Sequence, residues 1–185
     1  PNKVLMISPS STSPDLENSI NSGFFFRTSP SDIRSAQILA DFTKDKNIKS
    51  LAITYVDNSY EKNLSKAFKA ALESYDIKVT KNSPHVSGKK DYSSEVAKLA
   101  TSGGDALAII GYPDRGGKEI IQASLDSGTF NKFIFFDGMI DNSLTDEFSE
   151  KLNESFGILS GSKKKGARIF ADLINKNGIN SGPYI

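Results

Sequence analysis

Short apolar runs alternate with amphipathic stretches through the middle of the chain. Residues 51–56 (Leu-Ala-Ile-Thr-Tyr-Val) are apolar and β-branched, as a strand covered on both faces requires. The stretch that follows sets Leu64, Ala67, Phe68, Ala71, Leu72 and Tyr75 at helical spacing, with Lys62, Lys66, Lys69 and Glu73 off that stripe. It predicts a helix with one core-facing side. The alternation continues with a strand at 77–80, a helix at about 92–101, a strand at 106–110 and a helix at about 118–127. A strand at 133–136, a helix at about 144–152 and a strand at 156–159 complete it. Strands separated by helices in this way predict an α/β fold: a doubly wound, mostly parallel sheet.

Capping residues sharpen some boundaries. Ser29, Pro30 and Asp32 predict a helix with Ser29 as N-cap and Pro30 in its first turn, and Ser143 with Asp146 repeats the capping pattern. Gly103, Gly128 and Gly178 each follow a helical stripe, where a left-handed closing residue is expected. The two ends differ from this centre. A strand at 3–7 runs into a turn-rich segment at 8–14, followed by a second strand at about 24–27. At the far end Ala167, Phe170, Leu173 and Ile174 predict a further helix after a loop at 160–165. The expected organisation is one complete α/β unit over 29–160, flanked by segments 1–28 and 161–185 that belong to a second, partial unit. Pro1 at the start and the abrupt Gly182-Pro183-Tyr184-Ile185 end are expected of a fragment.

Composition narrows the function classes. With 23 Lys and Arg against 22 Asp and Glu, the formal net charge of +1 offers no electrostatic footprint for nucleic acid. No Cys and a single His exclude a disulfide framework, a Cys/His zinc site, a Cys nucleophile and a His-pair metal site. No apolar run approaches the roughly 20 residues that cross a bilayer as a helix. No cofactor is expected.

In an open parallel sheet, ligands bind beyond the carboxyl ends of the strands, where loops gather and helix N-termini point. That rule nominates residues 8–14, 57–60, 111–114 and 137–141. Between Pro9 and Pro14 and just before them, Ser8, Ser10, Ser11, Thr12 and Ser13 gather hydroxyls suited to an anion such as a carboxylate; a Ser-rich helix-capping loop is the commoner reading of such a segment. Asp137, followed by Gly138, suits an ammonium group or an Asx turn. Tyr60 and Tyr112 place phenols at two further strand ends, where they suit either a small organic ligand or rim packing. Hydroxyls, a carboxylate and two phenols at one sheet edge match the groups of an α-amino acid.

Other candidates fail. The segment from Gly111 to Glu119 has its Lys one place late for a phosphate-binding loop and Glu119 where a Ser or Thr is needed. Residues 137–141 lack the central Gly and terminal Glu of a calcium loop. His85, beside Pro84, is expected to lie in a solvated loop, and Lys163, Lys164 and Lys165 with Arg168 in a solvated loop and helix start.

Six stretches carry a joint resemblance. They are residues 6–14, Phe25-Phe26-Arg27-Thr28, Tyr55-Val56-Asp57-Asn58-Ser59-Tyr60, Lys90-Asp91-Tyr92-Ser93, Gly111-Tyr112-Pro113 and Phe136-Asp137-Gly138. In this order the chain resembles the periplasmic substrate-binding proteins of ABC transporters for branched-chain amino acids, the Leu/Ile/Val type with the type I periplasmic-binding fold. The resemblance implies two lobes that close over a solute, an extracytoplasmic location and a membrane permease as partner. It implies that Ser10 and Thr12, with Ser11 between them, bind the ligand carboxylate and amine, that Tyr60 packs on the ligand, and that Tyr112 and Asp137 bind the amine. The chain departs from the pattern in two places: the family often has Glu where Asp137 stands, and the glycines that commonly follow Tyr60 are replaced by Glu61 and Asn63. The same fold also serves as the sensing domain of receptors and transcription regulators, which is the alternative expectation. An enzyme is not expected.

Overall fold

The computed structural model describes residues 4–16, 23–161 and 165–178. Its contacts divide the chain into two units, Ser31–Ile158 and a second made of Pro1–Pro30 with Leu159–Ile185.

In the second unit β1 (Met6–Ser8) pairs in parallel with β2 (Phe25–Arg27), Met6 opposite Phe25 and Ser8 opposite Arg27. The expected strand at 3–7 is thus shifted by one residue at its end, and Lys3 lies outside the described residues, as do Lys163, Lys164 and the 179–185 end.

The unit Ser31–Ile158 begins with helix α1 (Asp32–Asp45) and continues with β3 (Ser50–Val56), α2 (Ser59–Glu73), β4 (Lys78–His85) and α3 (Ser93–Ala100). It ends with β5 (Ala106–Ile110), α4 (Gly117–Asp126), β6 (Phe133–Phe135), α5 (Asn142–Phe148) and β7 (Phe156–Gly157). The sheet order is β4-β3-β5-β6-β7, with every pair parallel. A last helix, α6 (Lys165–Lys176), belongs to the other unit.

Strand periodicity sorts the core into two layers, because successive side chains point to opposite faces. Leu51, Ile53 and Tyr55 of β3, with Ala108 and Ile110 of β5, face α1 and α2. Ala52, Leu107, Ile109, Phe133 and Phe135 face α3, α4 and α5. The expected stripe on α2 is where the packing puts it: Leu64, Phe68 and Leu72 are buried, and Phe68 meets Phe136 edge to face at 5.1 Å. The fold is therefore α/β and doubly wound.

Some boundaries differ from expectation. α1 starts at Asp32 with Ser31 as its N-cap, two residues later than the Ser29 cap predicts. α5 is capped by Asp141, whose Oδ1 accepts the Ser143 N–H at 2.8 Å, so Ser143 lies inside the helix. It stops at Phe148, where Ser149 takes φ of 41° and a short 3-10 turn follows. β4 runs on to His85, well past Thr80. His85 is consequently not solvated. It is 2% exposed, paired opposite Val56, with its ring edge-on to the fully buried Tyr92. Gly103, Gly128 and Gly178 all take the left-handed conformation expected of helix-closing residues.

Candidate functional site

The chain order within the sheet locates a crevice before any side chain is considered. From β3 the chain passes through α2 to β4 on one side. The later strands β5, β6 and β7 are laid down on the other side. β3 and β5 are neighbours whose following helices pack on opposite faces, so their carboxyl ends open a gap at the topological switch point.

Tyr60 and Tyr112 both stand at that gap. They line a depression of about 600 Å³ together with Asn58, Glu61, Asp114 and Arg115. Tyr60 is fixed by the first turn of α2. The Asn58 carboxamide caps this helix, accepting the N–H groups of Tyr60 at 2.9 Å and Glu61 at 3.1 Å. Those donors are thereby spent on the cap. Tyr112 follows β5 and is 40% exposed, with the Arg115 guanidinium 5.7 Å from its ring centre. Burial raises the pKa of its phenol first, and the negative charges of Glu61 and Asp137 raise it further.

Asp137 reaches the same edge from β6. It opens a 3-10 turn (Asp137–Met139), and its Oδ1 accepts the Gly138 N–H at 3.0 Å, as an Asx turn would have it. Burial raises the pKa of the carboxyl group, partly offset by the hydrogen bond from Gly138. Gly138 explains how the two loops come so close. A Cβ there would stand 2.6 Å from the Gly111 carbonyl oxygen and 3.2 Å from Tyr112 Cε1. Gly111 in turn lies against Val56, where a Cβ would be 2.8 Å from Cγ2. The ends of β3, β5 and β6 are thus drawn together at positions that tolerate no side chain.

Ser10, Ser11 and Thr12 belong to the other unit, Pro1–Pro30 with Leu159–Ile185, and are described within it. The bend is organised from inside. Ser8 Oγ accepts the N–H of Ser11 at 3.0 Å and of Ser10 at 3.4 Å, and donates to Ser11 Oγ at 2.7 Å. Arg27 Nη1 donates to the Ser13 carbonyl at 2.9 Å, holding the bend to β2. Thr12 is buried at 8% exposure, while Ser10 is exposed. The segment therefore has the hydroxyl-capped geometry that its composition allows.

The sequence reading did not single out Glu61 or Arg115 as site residues. Asn58 and Glu61 stand three apart at a helix start, the spacing of a capping box, and that signal was available. In the structure Glu61 is 3% exposed and its Oε2 has no hydrogen-bond partner among the described residues. Among those residues no group of three or more His, Cys, Asp or Glu is placed to hold a metal ion. No described helix is long and apolar enough to cross a membrane.

Comparison with known proteins agrees with this architecture. A family model described as periplasmic binding protein matches residues 1–145. A Leu/Ile/Val-binding protein homolog 3 of Brucella melitensis is 34% identical over 122 residues, which is 63% of this chain and 32% of that protein. The Leu/Ile/Val-binding protein BraC3 of Rhizobium johnstonii is 32% identical over 117 residues, again 32% of its length. The match thus spans about a third of these relatives. Among solved structures, a leucine binding protein LivK of Thermotoga maritima superposes with a TM-score of 0.82 at 22% identity, covering 99% of this chain and 53% of the other. The branched-chain amino acid binding protein LivJ of Streptococcus pneumoniae, in complex with isoleucine, gives 0.75 at 22% identity, over 98% of this chain and 53% of that one. With most of its length matched by the family model, the chain belongs to the periplasmic binding protein family.

Proposed function

We propose that this chain is part of an extracytoplasmic solute-binding protein, which takes an amino acid or related small polar metabolite between two lobes and delivers it to the permease of an ABC importer. The unit Ser31–Ile158 is one lobe, and residues 1–28 and 161–185 are pieces of the other, joined by hinge crossings near Arg27 and Ser160. The observation that carries the reading is the depression at the switch point of one parallel sheet, lined by Tyr60 and Tyr112, with the Asp137 turn packed against the Gly111–Tyr112 loop beside it. An aromatic ring to pack on the ligand, a phenol and a carboxylate are the set that an α-ammonium group and its side chain require. The hydroxyls of the serine-rich bend in the other unit suit a carboxylate.

No bond is made or broken in this account. Ligand-binding groups divided between two lobes meet only around a bound solute, so binding itself biases the closed form. The names of the relatives, which are Leu/Ile/Val-binding proteins, support the choice of solute class. Titration calorimetry of the full-length protein with a panel of L-amino acids tests it. Saturable binding of at least one amino acid, recovered chemically unchanged, is expected. Turnover of the solute, or no binding across the panel, would refute the reading.

A further inference from the structure

The carboxyl group of Glu61 is the unexplained feature of the depression. At N3 of α2, three residues after the N-cap Asn58, a Glu ordinarily turns back to accept the cap residue's own N–H. Here that N–H goes elsewhere, to the Val56 carbonyl at 2.7 Å. Glu61 lies buried, lining the depression beside Tyr60 and Tyr112, with its Oε2 shielded from water and bonded to nothing among the described residues. A carboxylate that gives up water without gaining a donor is costly, and such a group is kept where something else supplies the donor. Arg115, the cation lining the same depression, lies against the Tyr112 ring and makes no ion pair with Glu61 within 4.0 Å among the described residues. Asp114 adds a second acid to the lining. Asp137, near Tyr112, is already suited to one ammonium group, so Glu61 provides for another.

We propose that Glu61 is a specificity-determining residue that selects a solute carrying a second cationic group, an amino acid or amine with an ammonium or guanidinium side chain, over an aliphatic one. The inference rests on the solute-binding reading above, and goes beyond it in naming the side chain. A cation held in the depression beside the Glu61 carboxyl group offsets the cost of burying its charge, whereas a leucine side chain offers it nothing. Sites built around a hydrogen-bonding group reject analogues that lack its partner far better than they discriminate between hydrocarbons.

Calorimetry of the full-length protein with L-arginine, L-lysine and L-leucine, repeated on Glu61→Gln and Glu61→Gly, tests this. The protein is expected to bind arginine or lysine at least about tenfold more tightly than leucine. In Glu61→Gln the ratio should collapse towards one, with leucine affinity retained as evidence of an intact pocket. A preference for leucine in the unmodified protein, or a ratio unchanged in Glu61→Gln, overturns the inference and leaves the solute-binding reading standing. Loss of leucine binding in both variants also overturns it, by making Glu61 a structural group. Failure of the unmodified protein to bind any of a full amino-acid panel defeats the broader reading, and this inference with it.

Discussion

The imidazole of His85 is held with Nδ1 2.8 Å from the Thr54 hydroxyl, between neighbouring strands β4 and β3. Burial lowers its pKa from the ordinary 6.5 to about 4, against a smaller opposing effect of Glu95. Between those pH values the unfolded chain binds the proton and the folded one does not. Stability is therefore full above about pH 6.5 and falls as the pH drops towards 4, by up to about 3 kcal/mol from this group. Urea unfolding of the protein and of His85→Gln across this window checks it. The variant should lose a clearly smaller share of its stability on acidification, and parallel curves would remove His85 as the cause.

Gly138→Ala should cost about 1–3 kcal/mol, because the added methyl group meets the Gly111 carbonyl oxygen, which belongs to backbone that cannot step aside. Relief of that clash separates the loops carrying Tyr112 and Asp137. A drop in denaturation midpoint together with weakened solute binding is the expected pair of results, and an unchanged midpoint would show that the loops are not so tightly joined.

In the proposed site, Asp137 sets function against stability. Burial raises its pKa, so above that raised value the folded state carries the cost of a partly desolvated charge. Asp137→Asn keeps an acceptor for the Gly138 N–H and removes the charge. We expect the variant to have a higher denaturation midpoint at neutral pH while binding amino acids far more weakly. Acidification should weaken binding by the unmodified protein from a higher pH than an ordinary Asp would dictate, as the carboxylate is neutralised. Unfolding and binding curves measured side by side decide both points.

Phe68 is fully buried and packs edge to face on Phe136 between α2 and β6. Phe68→Ala should destabilise the unit Ser31–Ile158 by about 3–5 kcal/mol. Thermal unfolding measures this, and a loss below about 1 kcal/mol would mean that the core on this side refills the gap.

The fold was largely legible because burial on both faces leaves a simple signature. Leu51 through Val56 and Ala106 through Ile110 are uninterrupted buried runs, and Leu64, Phe68 and Leu72 recur at one helical period. The misreadings occur where that signature weakens. β4 is an edge strand, and Lys81, Asn82, Ser83 and Pro84 interrupt its apolar pattern although the backbone continues the ladder to His85. Pro84 is tolerated there because an edge strand can do without one donor. Ser143 and Asp141 are both competent caps, and only the backbone geometry chooses between them. The candidates Tyr60, Tyr112 and Asp137 follow from their places after predicted strands, and the structure puts them just beyond the ends of β3, β5 and β6. The sequence marks Glu61 only as a departure from the glycines that commonly follow Tyr60, and its spacing from Asn58 suggests a capping box that the structure leaves open, because the Asn58 N–H donates to the Val56 carbonyl instead. No local pattern in the sequence reveals that exchange.

The central claim is that the start of α2 at Tyr60 and the Asp137 turn serve one solute. Backbone amide NMR of the full-length protein, titrated with the amino acid it binds best, tests this most directly. The account predicts that signals of residues 58–61 and of residues 137–140 shift together along the same saturation curve. Shifts confined to one of the two stretches, with the other unmoved at saturation, would contradict it.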